Sequence, residues 1–461
     1  MKLRTYGTLL ATLVSATAWS QEVSVYGTTM AQVWKQDTPG FEKSSYAPAT
    51  QFLGIDANNL YKDGLSLHLF GWGRADMADS TRDIGMPGGD LAYGYLQYRF
   101  AQANAELKAG RFTINQGVGV EQVDGLSGRA DLRGGLTVSF FGGKPVLYKR
   151  GDVAAQKDYE FQRDFIFGGR LGLRVPKVGE FGLSLLQDGT KAAKDLPTPS
   201  AVDYTRKQAG LDIRISPNST FDFSGRTVYD LASHLDTPGT PSNRSRLAEN
   251  DYTLSVKLAP LVAISGNYTE RNFQAYFAGT NLPSLFRQVE KDKHRAYGAN
   301  LTFGSAASVQ VVADYRNIRR ETFGDAKRFG GEFRMNLPEQ KVQAGFGFHR
   351  MAAFNVLVVG AQIPSYGLSH REMRAWVLVE RGRFSASLDA IHQSYDDPFN
   401  PNLNGKNSAS EVVASMGVQA NSNLKFSGDV SYGNSPDFKK DVRGILRAEF
   451  RFAMGSKGGS K

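Results

Sequence analysis

A regular alternation of apolar and polar residues runs through the chain from residue 22 onward and constrains its fold more than any other feature. In LKFSGDVSY (424–432), the apolar Leu424, Phe426 and Val430 alternate with charged and small polar residues. The same pattern recurs in FDFSGRTVY (221–229). A helical period would scatter the charges over both faces. The alternation therefore predicts β-strands with one apolar and one polar face.

The lengths of the connections distinguish a membrane barrel from the two soluble folds that use such strands, a sandwich and a large propeller. Very short turns alternate with loops of roughly ten to twenty residues, as in transmembrane barrels, which have tight periplasmic turns and long outer loops. Strands of about 9 to 13 residues match what a tilted strand needs to cross a bilayer. The short turns are predicted at 59–64, 101–104, 176–179, 216–219, 304–307, 338–341, 382–383 and 421–423. We therefore predict an all-β fold, a single transmembrane antiparallel up-and-down β-barrel.

Closure restricts the number of strands, because an open sheet edge in hydrocarbon would leave backbone donors and acceptors unpaired. A bacterial single-chain barrel has an even number of strands, whereas the alternation identifies 21 segments. These segments are 22–35, 50–58, 65–77, 91–100, 105–113, 135–143, 164–175, 181–188, 204–215, 220–230, 250–258, 262–273, 294–303, 308–319, 326–337, 341–351, 371–381, 384–395, 410–419, 424–433 and 441–452. One strand is therefore missing from the count.

The missing strand is predicted within GRFTINQGVGVEQVDGLSGRADLRGG (110–135). The strands on either side of this stretch both run toward the long-loop side, so a returning strand must lie between them. Alternation directs Leu126 toward lipid and Arg129 and Asp131 toward the lumen, and it makes 132–135 a tight turn. The estimate is 22 strands, with 20 as the alternative.

The ends of the chain indicate export. Residues 1–20 have a short basic start, an apolar stretch and a small-residue exit, as in a secretory signal peptide. We predict a signal peptide over 1–20, the transmembrane barrel over 21–452 and a flexible tail over 453–461, which places the protein in the outer membrane. The chain contains no cysteine. Disulfides and covalent attachment of a c-type haem are therefore excluded.

A barrel of about this size encloses a lumen too wide for its own side chains to fill. Its first strand follows the predicted cleavage site directly, so we expect no plug domain, and any narrowing must come from infolded loops at 112–122, 274–293 or 353–369. The inward positions carry both signs of charge with a modest basic excess, which predicts a water-filled pore with weak anion preference. The predicted pore-lining residues include Arg99, Glu106, Arg129, Asp131, Arg170, Arg174, Arg214, Arg226, Arg271, Arg328, Glu332, Arg334, Arg443 and Arg447.

Aromatic residues near the strand ends suit the girdles that flank the apolar band of a membrane barrel. We predict such a girdle from Tyr26, Trp34, Trp72, Tyr98, Phe100, Tyr268, Tyr315, Trp376, Tyr395 and Phe452.

Motifs that carry catalytic or binding chemistry are weak in this chain. GVGVEQ (117–122) lacks the third glycine of a dinucleotide fingerprint, and no helix follows it. The six histidines are far apart and lack metal-ligand spacing. SLHLF, with His68, and FGFHR, with His349, could each supply half of a hydrolase site, but nothing in the sequence supplies the rest. The net charge of +10 is dispersed rather than clustered. We therefore predict no enzyme activity, no metal, no cofactor and no nucleic-acid partner.

Three segments resemble Gram-negative outer-membrane porins. VSVYGTTMAQV (23–33) is similar to the first strand of general porins, and LKAGRF (107–112) resembles the strand that precedes their constriction loop. The longer segment 110–143 resembles porins of metal-reducing bacteria, some of which form sleeves around multihaem cytochromes in electron conduits. One departure is that Phe452 is followed by nine further residues, whereas such barrels usually end on an aromatic residue.

The resemblance and the barrel pattern together favour a passive diffusion channel for small hydrophilic solutes. The alternative is a barrel scaffold for a porin–cytochrome complex that moves electrons across the outer membrane. The expected partners are outer-membrane lipid and lipopolysaccharide and small hydrophilic solutes. A homo-oligomer and a complex with multihaem cytochromes are both compatible with the sequence.

Overall fold

A computed structural model defines the protein over residues 22–37, 44–60, 64–78, 88–146, 165–189, 205–233, 247–272, 293–320, 325–353, 369–396, 405–436 and 438–455. The predicted signal peptide lies outside these ranges, as do residues 274–292 of the predicted loop 274–293, residues 354–368 of the predicted loop 353–369 and residues 456–461 of the predicted tail 453–461. Within them the chain consists of strands joined by short turns, with two 3-10 turns, Ala101–Ala103 and Arg133–Gly135.

The strands, numbered in chain order, are β1 Glu22–Asp37, β2 Ser44–Tyr46, β3 Pro48–Asn58, β4 Leu65–Asp76, β5 Gly88–Phe100, β6 Ala105–Gln116, β7 Gly119–Asp131, β8 Leu136–Pro145, β9 Phe165–Val175, β10 Gly179–Gly189, β11 Thr205–Asn218, β12 Phe221–Ser233, β13 Leu247–Ala259, β14 Val262–Asn272, β15 Lys293–Gly304, β16 Val309–Arg320, β17 Ala326–Leu337, β18 Val342–Ala353, β19 His370–Arg381, β20 Phe384–Tyr395, β21 Ser408–Asn421, β22 Leu424–Ser435 and β23 Phe438–Gly455.

The sheet is a closed antiparallel ring. β1 pairs on one side with β3, where Tyr26 lies opposite Gly54, and on the other side with β23, where Tyr26 lies opposite Arg451. Every strand from β3 to β23 pairs with the next in sequence, so all of the 23 strands except the three-residue β2 belong to the ring. The barrel therefore has 22 strands, as the even-number argument predicts, and each strand has its backbone groups paired on both sides.

β7 is the strand that was missing from the count. It pairs with β6, where Glu106 lies opposite Arg129, and with β8, where Arg129 lies opposite Ser139. The tight turn after it is the 3-10 turn Arg133–Gly135, in which Gly134 and Gly135 have φ of 78° and 82°. Because this left-handed backbone favours glycine, the RGG sequence suits the turn. The predicted strand and the predicted turn are both confirmed.

The two faces of the ring differ in polarity. Large apolar side chains stand exposed on one face, as with Met416 at 72% and Leu446 at 69%. Side chains of the other face reach past a neighbouring strand, as when Arg170 on β9 contacts Asp212 on β11 across β10. Since side chains converge only on the concave side of a closed sheet, this second face lines the interior.

Several boundaries differ from the sequence prediction. β2 is an additional short strand, which pairs with β1 through Lys35 and Ser45. β5 and β13 begin three residues earlier than predicted, and β23 extends to Gly455, past the predicted end at 452. The added residues include glycines and charged residues and form short segments with little alternation of apolar and polar residues. The period-two pattern therefore did not identify them.

In the part of the chain that the structure describes, no helix is long and apolar enough to span a membrane.

Candidate functional site: the barrel interior

Strand register places the side chains of the fourteen predicted lining residues on the face opposite the exposed apolar side chains, and their role in lining a pore stays a prediction. The register of β5, β6 and β7 shows that three of them share one face, since Arg99 lies opposite Glu106 and Glu106 lies opposite Arg129. Asp131 follows two positions after Arg129, and its carboxylate accepts a hydrogen bond from Arg129 at 3.2 Å. The inner face is therefore charged along these strands.

Most inner-face arginines are held by carboxylates on other strands. Arg170 donates to Asp212 at 2.6 Å and to Glu180 at 3.0 Å, and Arg174 contacts Glu180 at 3.2 Å. Arg214 lies 3.6 Å from Asp222. These ion pairs link β9 to β12 from the inside. They stiffen the wall at the same time as they leave charge facing the lumen.

A second network of ion pairs and hydrogen bonds lies on β16 to β19 and on β22 and β23. Arg328 and His349 each lie 2.7 Å from Asp314, which places a histidine and an arginine on one carboxylate. Arg334 contacts Glu332 at 2.7 Å, and the indole Nε1 of Trp376 donates to Glu332 at 3.2 Å. Arg443 and Arg447 pair with Asp441 and Asp429. Sequence reasoning did not predict the role of Trp376, because the contact joins β19 to β17 and depends on register.

Glu249 is a deeply buried carboxylate of the inner wall, with 2% of its side chain exposed. It accepts hydrogen bonds from Arg226 at 2.9 Å and from Arg271 at 3.1 Å, so one acidic group holds two guanidinium groups. A buried carboxylate is tolerated only when its oxygens are fully paired.

We expect Glu249→Gln to destabilise the barrel by about 1–3 kcal/mol, because an amide removes the charge and presents donors to two arginines. The measurement is the urea midpoint of unfolding, followed by tryptophan fluorescence in detergent. Asp389→Asn is the matched control, since Asp389 pairs with the half-exposed Arg374 and such pairs contribute about 0–1 kcal/mol. Equal destabilisation by both variants would contradict this reading of Glu249.

The tip of the β6–β7 hairpin leaves the wall. β5 pairs with β6 only as far as Arg111, and β8 pairs with β7 from Val123 onward. The β6–β7 ladder itself continues to Gln116 opposite Gly119. The residues between 111 and 123 therefore pair with each other but have lost their strand neighbours on the outside of the hairpin.

Apolar side chains hold this tip against the inner wall. Four tip residues form one buried cluster with side chains of β8, β9, β10, β12 and β13; its members are Phe112, Ile114, Val118, Val123, Phe141, Ile166, Leu186, Val228 and Ala248. Gly210 on β11 makes room for Val118, since a Cβ there would lie 2.9 Å from its methyl group. The hairpin tip thus packs against the inner wall from the lumen side, and of the three predicted infolded loops 112–122 is confirmed.

The sequence did contain a signal for this contact. Phe141, Ile166, Leu186 and Val228 occupy positions that alternate with outward residues, so they are apolar where the inner face is otherwise polar. A patch of inward apolar residues on neighbouring strands requires a cover. The glycine-rich stretch 110–135 thus contains both the hairpin tip that covers this apolar patch and the strand β7 of the barrel wall.

Aromatic side chains form a second inner cluster, on β1, β3, β4 and β5. Tyr26 and Phe70 have ring centroids 6.3 Å apart, and Phe70 and Tyr93 5.5 Å apart, with planes within 20°. Phe52 lies 6.3 Å from Phe70 with planes within 13°. The hydroxyls of Tyr26 and Tyr93 lie 2.8 Å apart, although β1 and β5 are separated by two strands. All four rings therefore face the interior.

This arrangement corrects part of the predicted girdle. Tyr26, Trp34, Trp72, Trp376 and Tyr395 face inward rather than toward lipid, as the contacts of Tyr26 and Trp376 and the ladder register show. Tyr98, Phe100, Tyr268, Tyr315 and Phe452 lie on the outer face. A position near a strand end does not determine whether a side chain faces lipid or the lumen, because consecutive residues of a strand point to opposite faces of the sheet.

Ser66, His68 and Asp56 form a hydrogen-bonded chain beside the aromatic cluster. The Ser66 hydroxyl lies 3.0 Å from His68 Nε2, and His68 Nδ1 lies 2.7 Å from Asp56 Oδ1. The expectation that nothing completes a serine–histidine–acid arrangement around His68 was therefore wrong in geometry. Hydrolysis also needs N–H donors aimed at the developing oxyanion. Backbone N–H groups of a β-ladder lie in the sheet and point to neighbouring strands. The trio therefore supplies polar groups to the wall.

Within the described ranges, no group of three or more histidine, aspartate or glutamate side chains is arranged to hold a metal ion.

Comparison with known proteins identifies similar folds. No family model matches the chain, and no curated protein matches it. The siderophore receptor PirA from Pseudomonas aeruginosa matches with a TM-score of 0.52 at 10% identity, over 94% of this chain and 81% of that one. An E. coli P pilus tip assembly intermediate, PapC-PapD-PapK-PapG, matches with 0.52 at 10% identity, over 95% and 62%. The outer membrane protein opdK from Pseudomonas aeruginosa matches with 0.41 at 8% identity, over 95% and 100%. At these identities the likeness concerns the fold.

Proposed function

We propose that the chain forms an outer-membrane porin, a water-filled channel through which small hydrophilic solutes diffuse passively with weak anion preference. The observation that carries the proposal is the inner face of the closed 22-strand ring, which is charged on nearly every strand and is narrowed by the infolded β6–β7 hairpin. The fourteen lining residues would form the charged wall. Such a channel needs no catalytic group, because the wall and the constriction determine what passes.

The balance of wall charge supports the anion preference. Glu249 is shared by Arg226 and Arg271, so this group has one more base than acid, whereas Arg170 and Arg174 are matched by Asp212 and Glu180. Arginine remains charged at every accessible pH. Further inward bases, such as Lys257 and Arg316, add to the excess. A lumen with this excess concentrates anions over cations.

A row of basic residues supports the placement in an outer membrane. Arg295, Arg319, Lys327, Arg350 and Arg371 lie on five consecutive strands, β15 to β19, on the outer face and at the ends opposite the short turns. Arg295 faces Arg319 and Arg350 faces Arg371 in the ladder, and within the protein Arg295 also pairs with Glu270 and Arg350 with Asp396. Lipopolysaccharide phosphates would meet this row if the long loops face outside.

The alternative function, a sleeve around a multihaem cytochrome, requires a lumen free for another protein. The hairpin tip occupies part of that lumen and is held there by a buried apolar cluster. This observation favours the diffusion channel over the sleeve. Purification of the barrel with a haem protein and without open conductance would support the sleeve instead.

Ion selectivity tests the proposed channel. In a planar bilayer with a KCl gradient, we expect the zero-current potential to show a chloride-to-potassium permeability ratio above one. Lys257→Gln with Arg316→Gln should move the ratio toward or below one, since both residues face inward. Arg319→Gln is the control, because it removes the same charge from β16 on the outer face. A ratio unaffected by the inward pair, or shifted equally by Arg319→Gln, would contradict the assignment of the wall.

A further inference from the structure

The aromatic cluster lies beside a charged part of the wall at the same level of the barrel. In one row of the ladder, Arg451, Tyr26, Gly54, Phe70 and Tyr93 lie side by side on β23, β1, β3, β4 and β5. The adjacent inward row places Lys425 and Glu449 beside Thr28, Phe52 and Trp72. The strands therefore present rings on one side and charged groups on the other.

Gly54 allows the rings to form one surface. A side chain at this position would collide with the ring of Tyr26, which lies over the glycine. Tyr26 can then approach Phe70 across β3, and the planes of Tyr26, Phe52 and Tyr93 all lie within 20° of the plane of Phe70. The four side chains are partly exposed, so the surface is open to the lumen.

A recess of about 340 Å³ separates the two kinds of group. Tyr26, Phe52 and Phe70 line it from one side, and Lys425, Glu449 and Arg451 line it from the other. The volume lies within the range of about 300–1,000 Å³ that is usual for small-molecule sites. Residues of the short turn 421–423 form its edge, so it is located toward the short-turn mouth of the barrel.

The chemistry of the lining selects a ligand with an apolar face and hydroxyl groups at its edge. The faces of aromatic rings carry negative potential and attract the slightly positive C–H groups of a flat apolar surface. Lys425 and Arg451 can only donate hydrogen bonds, whereas Glu449 accepts them. An anion would gain from the two bases but would be repelled by Glu449, whereas hydroxyl groups can satisfy all three residues.

We propose that this recess binds the pyranose ring of a neutral sugar, stacked on Phe52 and Phe70 and hydrogen-bonded to Glu449, Lys425 and Arg451. The proposal rests on the proposed channel function and assigns a solute class to it. Binding at a wall site inside a channel must be weak enough for release. The sugar should therefore slow the ion current reversibly as it occupies the lumen.

Single-channel recording with maltose as the probe tests the proposal. We expect maltose to reduce the chloride current through the native protein in a concentration-dependent way. Phe70→Ala should weaken this block about tenfold, since the ring contacts the other three and stacking contributes about that much. Glu449→Gln should weaken it through the polar side without altering the ring cluster. Phe346→Ala, which removes an exposed outer-face ring on β18, should leave the block unchanged.

The outcomes separate this proposal from the channel function. A protein that conducts no ions would refute the channel itself. A conducting channel that maltose does not block, or a block that persists in Phe70→Ala and Glu449→Gln, would overturn the sugar site alone. Block by benzoate but not by maltose would also overturn it and would assign the recess to aromatic anions.

Discussion

Replacing Val118 with aspartate should raise the single-channel conductance by about twofold or more, because the hairpin tip would leave the inner wall and widen the lumen. Val118 is 6% exposed and lies in the middle of the apolar cluster, beside Gly210. Burying an apolar side chain of this size contributes about 1.5–3 kcal/mol. An unpaired carboxylate at the same place would cost several kcal/mol more, which is comparable with the stabilisation from the other three tip residues.

Val120 provides the matched control for this experiment. It lies two residues away on the same hairpin but is 62% exposed, so Val120→Asp adds the same charge without disturbing the cluster. We expect its conductance to remain near the native value. An increase in both variants would attribute the effect to charge at the mouth, and an increase in neither would mean that the tip does not limit the current.

A disulfide can hold the tip in place and test its position directly. The native chain has no cysteine, so a pair introduced at Val118 and Gly210 can react only with each other. A Cβ at Gly210 would lie 2.9 Å from a Val118 methyl group, within the reach of a disulfide. The oxidised pair should form readily and keep conductance low, and reduction should change the current little. Failure to oxidise would contradict the infolded position.

The architecture was predictable because it follows from local pattern and from closure. Alternation is a property of neighbouring residues, so LKFSGDVSY identifies a strand without any knowledge of its partners. The requirement that neighbouring strands reverse direction then placed the missing strand within 110–135, where the structure has β7 at Gly119–Asp131, although the alternation in this stretch is weak. The same alternation, with Leu126 toward lipid, predicted that Arg129 and Asp131 point inward.

The inner clusters were less predictable because they depend on register between distant strands. Tyr26 and Tyr93 come together only because Tyr26 lies opposite Gly54 and Gly54 lies opposite Phe70. In VSVYGTTMAQV the apolar Val25 and the aromatic Tyr26 occupy opposite faces, so the segment itself does not decide which side faces lipid. The aromatic girdle was predicted from the position of each residue along its strand. Whether a residue faces lipid depends instead on whether it occupies an odd or an even position of the alternation.

Deleting residues 120–133 should abolish assembly of the barrel, the largest effect that we expect from any change in this chain. The deletion removes nearly all of β7 and the first residue of the turn after it, and it brings together β6 and β8, which run in the same direction. Two such strands cannot continue an antiparallel ladder, so the edges of both would lose their partners. Unpaired backbone groups in hydrocarbon cost several kcal/mol each, so the sum over two strand edges exceeds the stability of a typical folded protein, about 5–15 kcal/mol.

The control is a shorter deletion that spares the wall. Removing 114–119 shortens only the infolded tip and keeps the ladder between 105–111 and 124–130 intact. We expect this variant to assemble and to conduct more current than the native protein. Assembly is measured by the heat-dependent gel mobility of membrane fractions and by protection of the chain from added protease. If the 120–133 deletion instead assembles normally and alters only conductance, the segment is a constriction loop and the ring has an alternative pairing. Because a barrel cannot close with a strand missing on one side, that result would require a different register for β6 and β8.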